Sequence, residues 1–165
     1  MIVGILSDTH DRVDAMAAAM ELLRACGAEF FIHCGDVGSE NVLAHLAGLP
    51  SAFVFGNTDW DRAGLRRYAP TIGVRCLEAF DTLELDGKRI AVTHGDDGPL
   101  IRKLLADQDH DYLLVGHSHI AGEERIGRLH IINPGALHRA RVKTVALLDL
   151  AKDEVKWIEV SVEGR

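Results

Sequence analysis

Apolar runs and polar punctuation alternate along the chain, and the length of each run limits what it can form. Ile2-Val3-Gly4-Ile5-Leu6 is an unbroken apolar run near the start, the pattern of a strand buried on both faces. Val13 to Cys26 is rich in alanine, leucine and methionine, which are good helix formers. Asp11 is placed to cap that helix, and Gly27 follows as its terminating glycine. Phe30-Phe31-Ile32 reads as a second buried strand. Ser39 is then expected to cap a helix from Glu40 to Ala47, ended by Gly48 and Pro50. Ala52-Phe53-Val54-Phe55 is a third strand. Strands and helices in this order, with short links, predict a parallel sheet covered by helices.

The second half is richer in strands. A short helix is expected from Trp60 to Tyr68, stopping before Pro70. Thr82 to Leu85 and Lys88 to Thr93 flank Asp86-Gly87, a hairpin signal. Leu100 to Leu105 reads as helix and Tyr112-Leu113-Leu114-Val115 as a buried strand. Glu123 to Ile126 and Leu129 to Ile132 lie on either side of Gly127, and Asn133-Pro134-Gly135 is a turn. A last hairpin is expected from Thr144 to Leu150 and Val155 to Val162. No repeat, low-complexity stretch or long linker interrupts residues 1–165, so they read as one domain.

Composition narrows the setting. The chain has 165 residues, 47% of them hydrophobic, enough for a proper core. No membrane partner is expected, because the alanine-rich run from Ala15 to Leu23 is short and holds Glu21. A signal peptide is not expected either, since Asp8 breaks the first apolar run and no basic region precedes it. Cys26, Cys34 and Cys76 contain no C-x-x-C pair and read as free thiols of a reducing cytoplasm. The net charge of −7 argues against a long nucleic-acid partner, which needs a clustered basic surface. It does not exclude a phosphoryl group, provided metal cations supply the positive charge.

Candidate chemistry gathers at the ends of the apolar runs. Ile2–Leu6 leads to Asp8 and His10, Phe30–Ile32 to Asp36, and Ala52–Phe55 to Asn57. Ile90–Val92 leads to His94, and Tyr112–Val115 to His117 and His119. Alone, Asp8 and His10 could be a helix cap and a chance histidine. Together, five strand ends of an α/β sheet converge where ligands bind. The seven donors exceed the four or so that one zinc ion takes and suit two ions sharing a carboxylate.

These motifs, Asp8-Thr9-His10, Gly35-Asp36, Gly56-Asn57-Thr58-Asp59, His94-Gly95 and Gly116-His117-Ser118-His119, resemble in type and order those of the calcineurin-like metallophosphoesterases. The small phosphodiesterases of bacteria and archaea are the most similar branch. The resemblance implies a four-layer α/β/β/α sandwich of two mixed sheets flanked by helices. It also implies one divalent ion on Asp8, His10, Asp36 and His119, and a second on Asp36, Asn57, His94 and His117. Manganese leads as the metal, with iron, nickel or zinc as alternatives. Catalysis would rest on Asp8, Asp36, Asn57 and His94, with a hydroxide bridging the metals attacking phosphorus in line. Two such ions, less two carboxylates and that hydroxide, leave roughly +1 to hold a phosphoryl group. Histidines ligate only when neutral, so activity should fall away below about pH 6. Small members of the family often form dimers or tetramers.

One position departs from the family pattern. Many members carry histidine after the Gly-Asn pair, where this chain has Thr58. A threonine hydroxyl is no general acid near neutral pH, so small diesters with good leaving groups are the expected substrates. Competing readings are a phosphomonoesterase or nuclease, or a non-catalytic scaffold like the retromer subunit of this fold; the complete donor set favours the enzyme. Other residues have plainer alternatives. His33 reads as packing behind the ligands, and Asp59 either orients a ligand histidine or caps a turn. His138, Arg139 and Arg141 could meet substrate oxygens, or could be ordinary surface bases. His45, His110 and His130 read as structural, Cys34 as core, Asp96 and Asp97 as polar loop, and Thr9 as a spacer.

Overall fold

Two mixed sheets lie face to face in the computed structural model, which describes residues 1–162. In chain order the elements are β1 (Ile2–Leu6), α1 (Val13–Ala25), β2 (Phe30–His33), α2 (Glu40–Leu43), β3 (Ser51–Phe53), α3 (Arg62–Tyr68) and β4 (Val74–Cys76). There follow β5 (Phe80–Leu85), β6 (Lys88–Thr93), α4 (Gly98–Asp107), β7 (Tyr112–Leu114), β8 (Gly122–Ile126), β9 (Leu129–Asn133), β10 (Thr144–Asp149) and β11 (Glu154–Glu159). The first sheet has the order β11-β10-β1-β2-β3-β4, and the second β5-β6-β7-β9-β8. Parallel pairing joins β1 to β4 in the first sheet and β6, β7 and β9 in the second, while antiparallel strands occupy the remaining positions.

Strand alternation explains the layers. From β1, Val3 and Ile5 point between the sheets, where they meet Ile32, Val54, Ile90, Val92, Leu114 and Ile132. Leu6 turns the other way and packs among Met16, Ala19 and Leu23 of α1. Each such burial stabilises the fold by roughly 1.5–3 kcal/mol before chain entropy is counted. Val42, Leu43 and Leu65 bring α2 and α3 onto the same outer face. On the far side Leu104 of α4 packs on Ala91, Leu113 and Leu129 of the second sheet. The result is the expected α/β/β/α sandwich, with the carboxyl ends of two sets of parallel strands at one edge.

Several local expectations are corrected. Asp11 does not cap α1: it has a φ of 63°, and its carboxylate accepts a hydrogen bond from the Ser39 hydroxyl. The backbone position before α1 is Arg12, which makes no side-chain cap bond. Ser39 stands at the start of α2, yet its hydroxyl goes to Asp11 instead of to its own helix. The two would-be caps satisfy each other. At the other end of α1, Gly27 N–H donates to the Arg24 carbonyl and Ala28 N–H to that of Leu23, closing the helix as expected. The helix expected from Glu40 to Ala47 tightens to a 3₁₀ turn at Ala44–Leu46. The helix expected from Trp60 to Tyr68 starts only at Arg62 and ends, as expected, at Tyr68, and Pro70 is the second residue of the 3₁₀ turn Ala69–Ile72 that follows, where its missing N–H is harmless. Strand β4 was not expected, and Asp97 is a true cap, accepting from Leu100 N–H at 3.0 Å.

His130 joins the two sheets at their far edge. Its ring is buried, with Nδ1 3.0 Å from Asp153 and Nε2 2.5 Å from Glu123. Tyr112 donates to the same Asp153 oxygen at 2.8 Å, and Arg125 pairs with the other at 2.8 Å. Burial works to raise the Asp153 carboxyl, but hydrogen bonds from Arg125, His130 and Tyr112 prevail and hold it well below the usual carboxylate range. A depressed folded-state pKa stabilises above the unfolded value of about 3.9 and is lost as pH falls below it. Asp153→Asn should therefore lower the melting temperature by about 2–4 °C at pH 7, roughly 1 kcal/mol after solvent screening. The gap from wild type should shrink steadily below about pH 4, as followed by circular dichroism.

Candidate metal centre

Five loops leave β1, β2, β3, β6 and β7 at the same edge of the sandwich and carry all seven candidate donors. The chain turns sharply there. Asp8, His10, Asp36, His117 and His119 all have positive φ, between 45° and 67°. Aspartate and histidine tolerate this region better than most residues, but it still marks a site where the surroundings over-determine the backbone. Asp8 N–H donates to the Gly35 carbonyl at 3.0 Å and His10 N–H to that of Asp36 at 2.9 Å, so the first two loops brace each other. Two glycines allow the closest approaches. A Cβ on Gly116 would stand 1.9 Å from Ser7 Oγ, and one on Gly56 would stand 2.1 Å from Asp36 Oδ1.

The donor atoms form one continuous group. His119 Nε2 lies 3.1 Å from Asp8 Oδ1 and 3.4 Å from His10 Nε2. His10 Nε2 is 3.5 Å from Asp36 Oδ2, which is 3.3 Å from His94 Nε2. His94 Nε2 is 3.0 Å from Asn57 Oδ1, and that oxygen is 3.2 Å from His117 Nδ1. Donors bound at about 2.0–2.2 Å to a common ion lie roughly 3–3.5 Å from each other, and these spacings fall in that range. Two sets are compact enough for one ion each: Asp8, His10 and His119, and Asp8, Asp36 and His94. Asp8 belongs to both sets, but at 4.0 Å from His94 Nε2 it is farther from that ring than Asp36.

A cation fits this donor set for a second reason. Asp8 is fully buried, and its Oδ1 has no hydrogen-bond partner. An unpaired buried carboxylate oxygen is costly, and a metal ion is the partner its neighbours are arranged to share. The other Asp8 oxygen is held, accepting from Ser7 Oγ at 2.6 Å and from His117 N–H at 3.1 Å.

Supporting groups fix which atom of each ring faces inward. His94 Nδ1–H donates to the Cys34 carbonyl at 2.8 Å, leaving Nε2 for the centre, the usual arrangement behind a metal-binding histidine. Burial lowers the affinity of His94 for a proton, but Asp36, the Cys34 carbonyl and Asp8 raise it further, to a pKa of about 8. Asp36 is pushed up by burial yet held below the usual carboxylate range by His94 and the Thr58 N–H. That N–H donates to Asp36 Oδ1 at 2.8 Å, while Thr58 Oγ1 lies 3.4 Å from His10 Nδ1. Thr58 therefore stands behind two donors.

Other positions resolve differently. His33 is fully buried and pushed down to about 3 by burial and by the charge of His94. It accepts from Gly35 N–H at 3.2 Å, so its Nε2–H is free to donate to Thr9 Oγ1 at 2.8 Å. Thr9 is thus a strut between the first two loops and not a spacer. Asp59 orients no histidine; it clamps its loop by accepting from Gly56 N–H at 2.8 Å and Gly38 N–H at 2.9 Å. Asn133 was read only as part of a turn, yet its amide donates to the Gly116 carbonyl at 2.9 Å and Ser118 Oγ at 3.0 Å. His138 lies beside the centre, its ring 5.3 Å from that of His10, and Arg139 is exposed on the same loop with a φ of 50°. Cys34 is core, as expected.

Residues 1–153 match the model of the calcineurin-like phosphoesterase superfamily domain. The chain belongs to that superfamily. It is 28% identical over 163 residues to a phosphodiesterase of Methanocaldococcus jannaschii, covering 96% of this chain and 98% of that protein. A solved archaeal phosphodiesterase superposes with a TM-score of 0.90 at 27% identity, covering 97% of this chain and all of the other. Zinc-bound Vps29 of Entamoeba histolytica superposes with a TM-score of 0.69 at 18% identity, over 100% of this chain and 95% of that one, which is a likeness of fold alone. Among the described residues no helix is long and apolar enough to cross a membrane.

If the orphaned Asp8 oxygen is a metal ligand, loading should stabilise the fold. Manganese at about 100 times its dissociation constant adds roughly 2.7 kcal/mol, or about 5–10 °C in melting temperature for a domain of this size. Asp8→Ala should remain folded and lose most of that rise, as read by differential scanning fluorimetry. An equal rise in the variant would place the ion elsewhere.

Proposed function

We propose that the protein is a dinuclear metal-dependent phosphodiesterase acting on small diesters. The observation that carries this reading is the position of Asp36 Oδ2, between His10 Nε2 at 3.5 Å and His94 Nε2 at 3.3 Å. A carboxylate so placed can serve two ions. Asp8, His10, Asp36 and His119 would hold one, and Asp36, Asn57, His94 and His117 the other. Bound there, divalent ions of manganese or a similar metal supply Lewis-acid charge and lower the pKa of a water. The names of the relatives support the phosphodiester as substrate.

The chain's own groups favour water as the nucleophile in an in-line displacement. Ser7 Oγ is buried and donates to Asp8. Thr9 Oγ1 is occupied with His33. Burial pushes the Cys34 thiol far up, away from a reactive thiolate. None of these three groups is therefore free to form a covalent intermediate. With its oxygen turned toward His94 and His117, the Asn57 amide has its N–H groups left to meet a phosphoryl oxygen, and Arg139 can meet another from the rim. Thr58 is engaged with His10 and offers no acid to the leaving group. The complete set of seven candidate donors favours the enzyme over a non-catalytic scaffold on the same fold.

Elemental analysis of the loaded protein should find about two ions per chain, and an aryl phosphodiester should be cleaved well ahead of its monoester. Chelation should abolish the activity and manganese restore it. A folded, metal-loaded protein that cleaves no diester would overturn the reading. Thr58→His should shift the balance toward the monoester by about tenfold or more, since a positioned general acid is worth roughly a hundredfold or greater.

A further inference from the structure

Trp60 is 88% exposed, the most open large apolar side chain among the described residues. Single exposed hydrophobics are ordinary, but this one has a particular address. It lies three residues beyond Asn57 and one beyond Asp59, at most about 11 Å of extended chain from a candidate metal donor. The next most exposed, Ile120 at 72%, directly follows His119. Both therefore border loops of the metal centre.

The loop behind Trp60 is rigid. Asp59 ties it to Gly56 and Gly38, and Thr58 N–H ties it to Asp36. Arg62 completes the clamp, donating to the Gly56 carbonyl at 2.9 Å and to that of Asp59 at 3.3 Å. The indole takes no part in this clamp and stays open to solvent. A backbone held in place beneath an aromatic side chain, beside a polar site, lowers the ordering cost of binding a flat group. Every nucleobase or aryl ring offers a face to stack on it. The surrounding charge does not compete for this role, since the net charge of −7 leaves the metal ions to hold the phosphoryl group.

We propose that Trp60 is the specificity-determining residue of this centre, a platform on which the nucleobase of a nucleoside phosphodiester stacks while its phosphoryl group meets the metal donors. The proposal rests on the phosphodiesterase reading for its kinetic test but has a binding test of its own. Two esters with one leaving group separate the contributions: the p-nitrophenyl ester of thymidine monophosphate, and methyl p-nitrophenyl phosphate. Trp60→Ala is expected to narrow the nucleoside-over-methyl preference in kcat/KM by about tenfold, through KM of the nucleoside ester, and Trp60→Phe to keep most of it. Thymidine monophosphate added to the manganese-loaded protein should quench tryptophan fluorescence in wild type and not in Trp60→Phe, whose remaining indole is Trp157.

An unchanged preference in Trp60→Ala would overturn the proposal, as would an equal loss on both esters. Quenching of Trp60 by dilution-reversible self-association, with no response to the nucleotide, would also overturn it and assign the indole to a protein contact. If wild type cleaves neither ester, the phosphodiesterase reading fails, and the fluorescence titration alone decides whether Trp60 stacks on a nucleotide.

Discussion

A buried carboxylate oxygen with no hydrogen-bond partner is the constraint around which this molecule is built. Asp8 is wholly buried with Oδ1 lacking a partner, and Asp36, nearly as buried, faces two imidazole nitrogens. Two buried carboxylates so close would repel each other unless cations or protons intervened. The histidines could supply protons, but each then ceases to be a ligand. Metal and proton compete for one set of atoms, and the protein tilts that contest by orientation. The Cys34 carbonyl takes the outer proton of His94, and Thr58 Oγ1 stands against the outer nitrogen of His10. In both rings the inner nitrogen is left facing the other candidate donors.

Holding that geometry draws on the whole sandwich. Five of the seven donors have left-handed backbone, a conformation that would relax in an isolated loop. It persists because the loops are bonded to each other and anchored to strands whose alternate side chains fill two cores. Neither sheet could do this alone. Asp8, His10, Asp36 and Asn57 follow strands of the first sheet, and His94, His117 and His119 follow strands of the second. Packing of Val3 and Ile5 against Ile90, Val92 and Leu114 therefore sets the distance between the two halves of the centre.

The donors were legible in the sequence because strand ends and the carboxyl edge of a parallel sheet follow from apolar patterning. Their supports were less so. Thr9 and His33 are 24 residues apart, and nothing local links a threonine on one loop to a histidine on the next strand. Asp11 and Ser39 each carry a valid capping signal, but the loops come close enough for the pair to bond across 28 residues, which removed both caps. Strand β4, Val74–Cys76, has three residues and too little alternation to register. Only its parallel pairing with β3 makes it a strand. Misses of this kind share a cause: each feature is created by tertiary approach and has no local period.

Charge is the remaining level at which site and surface diverge. A net charge of −7 repels a long polyanion only within the roughly 8–10 Å that salt screening leaves. At contact range divalent metal held by these donors would offset the buried carboxylates, so an overall acidic chain can still hold a phosphoryl group. At the rim of the candidate centre the large apolar side chains most open to solvent are Trp60 and Ile120, each a short step of chain from a candidate donor.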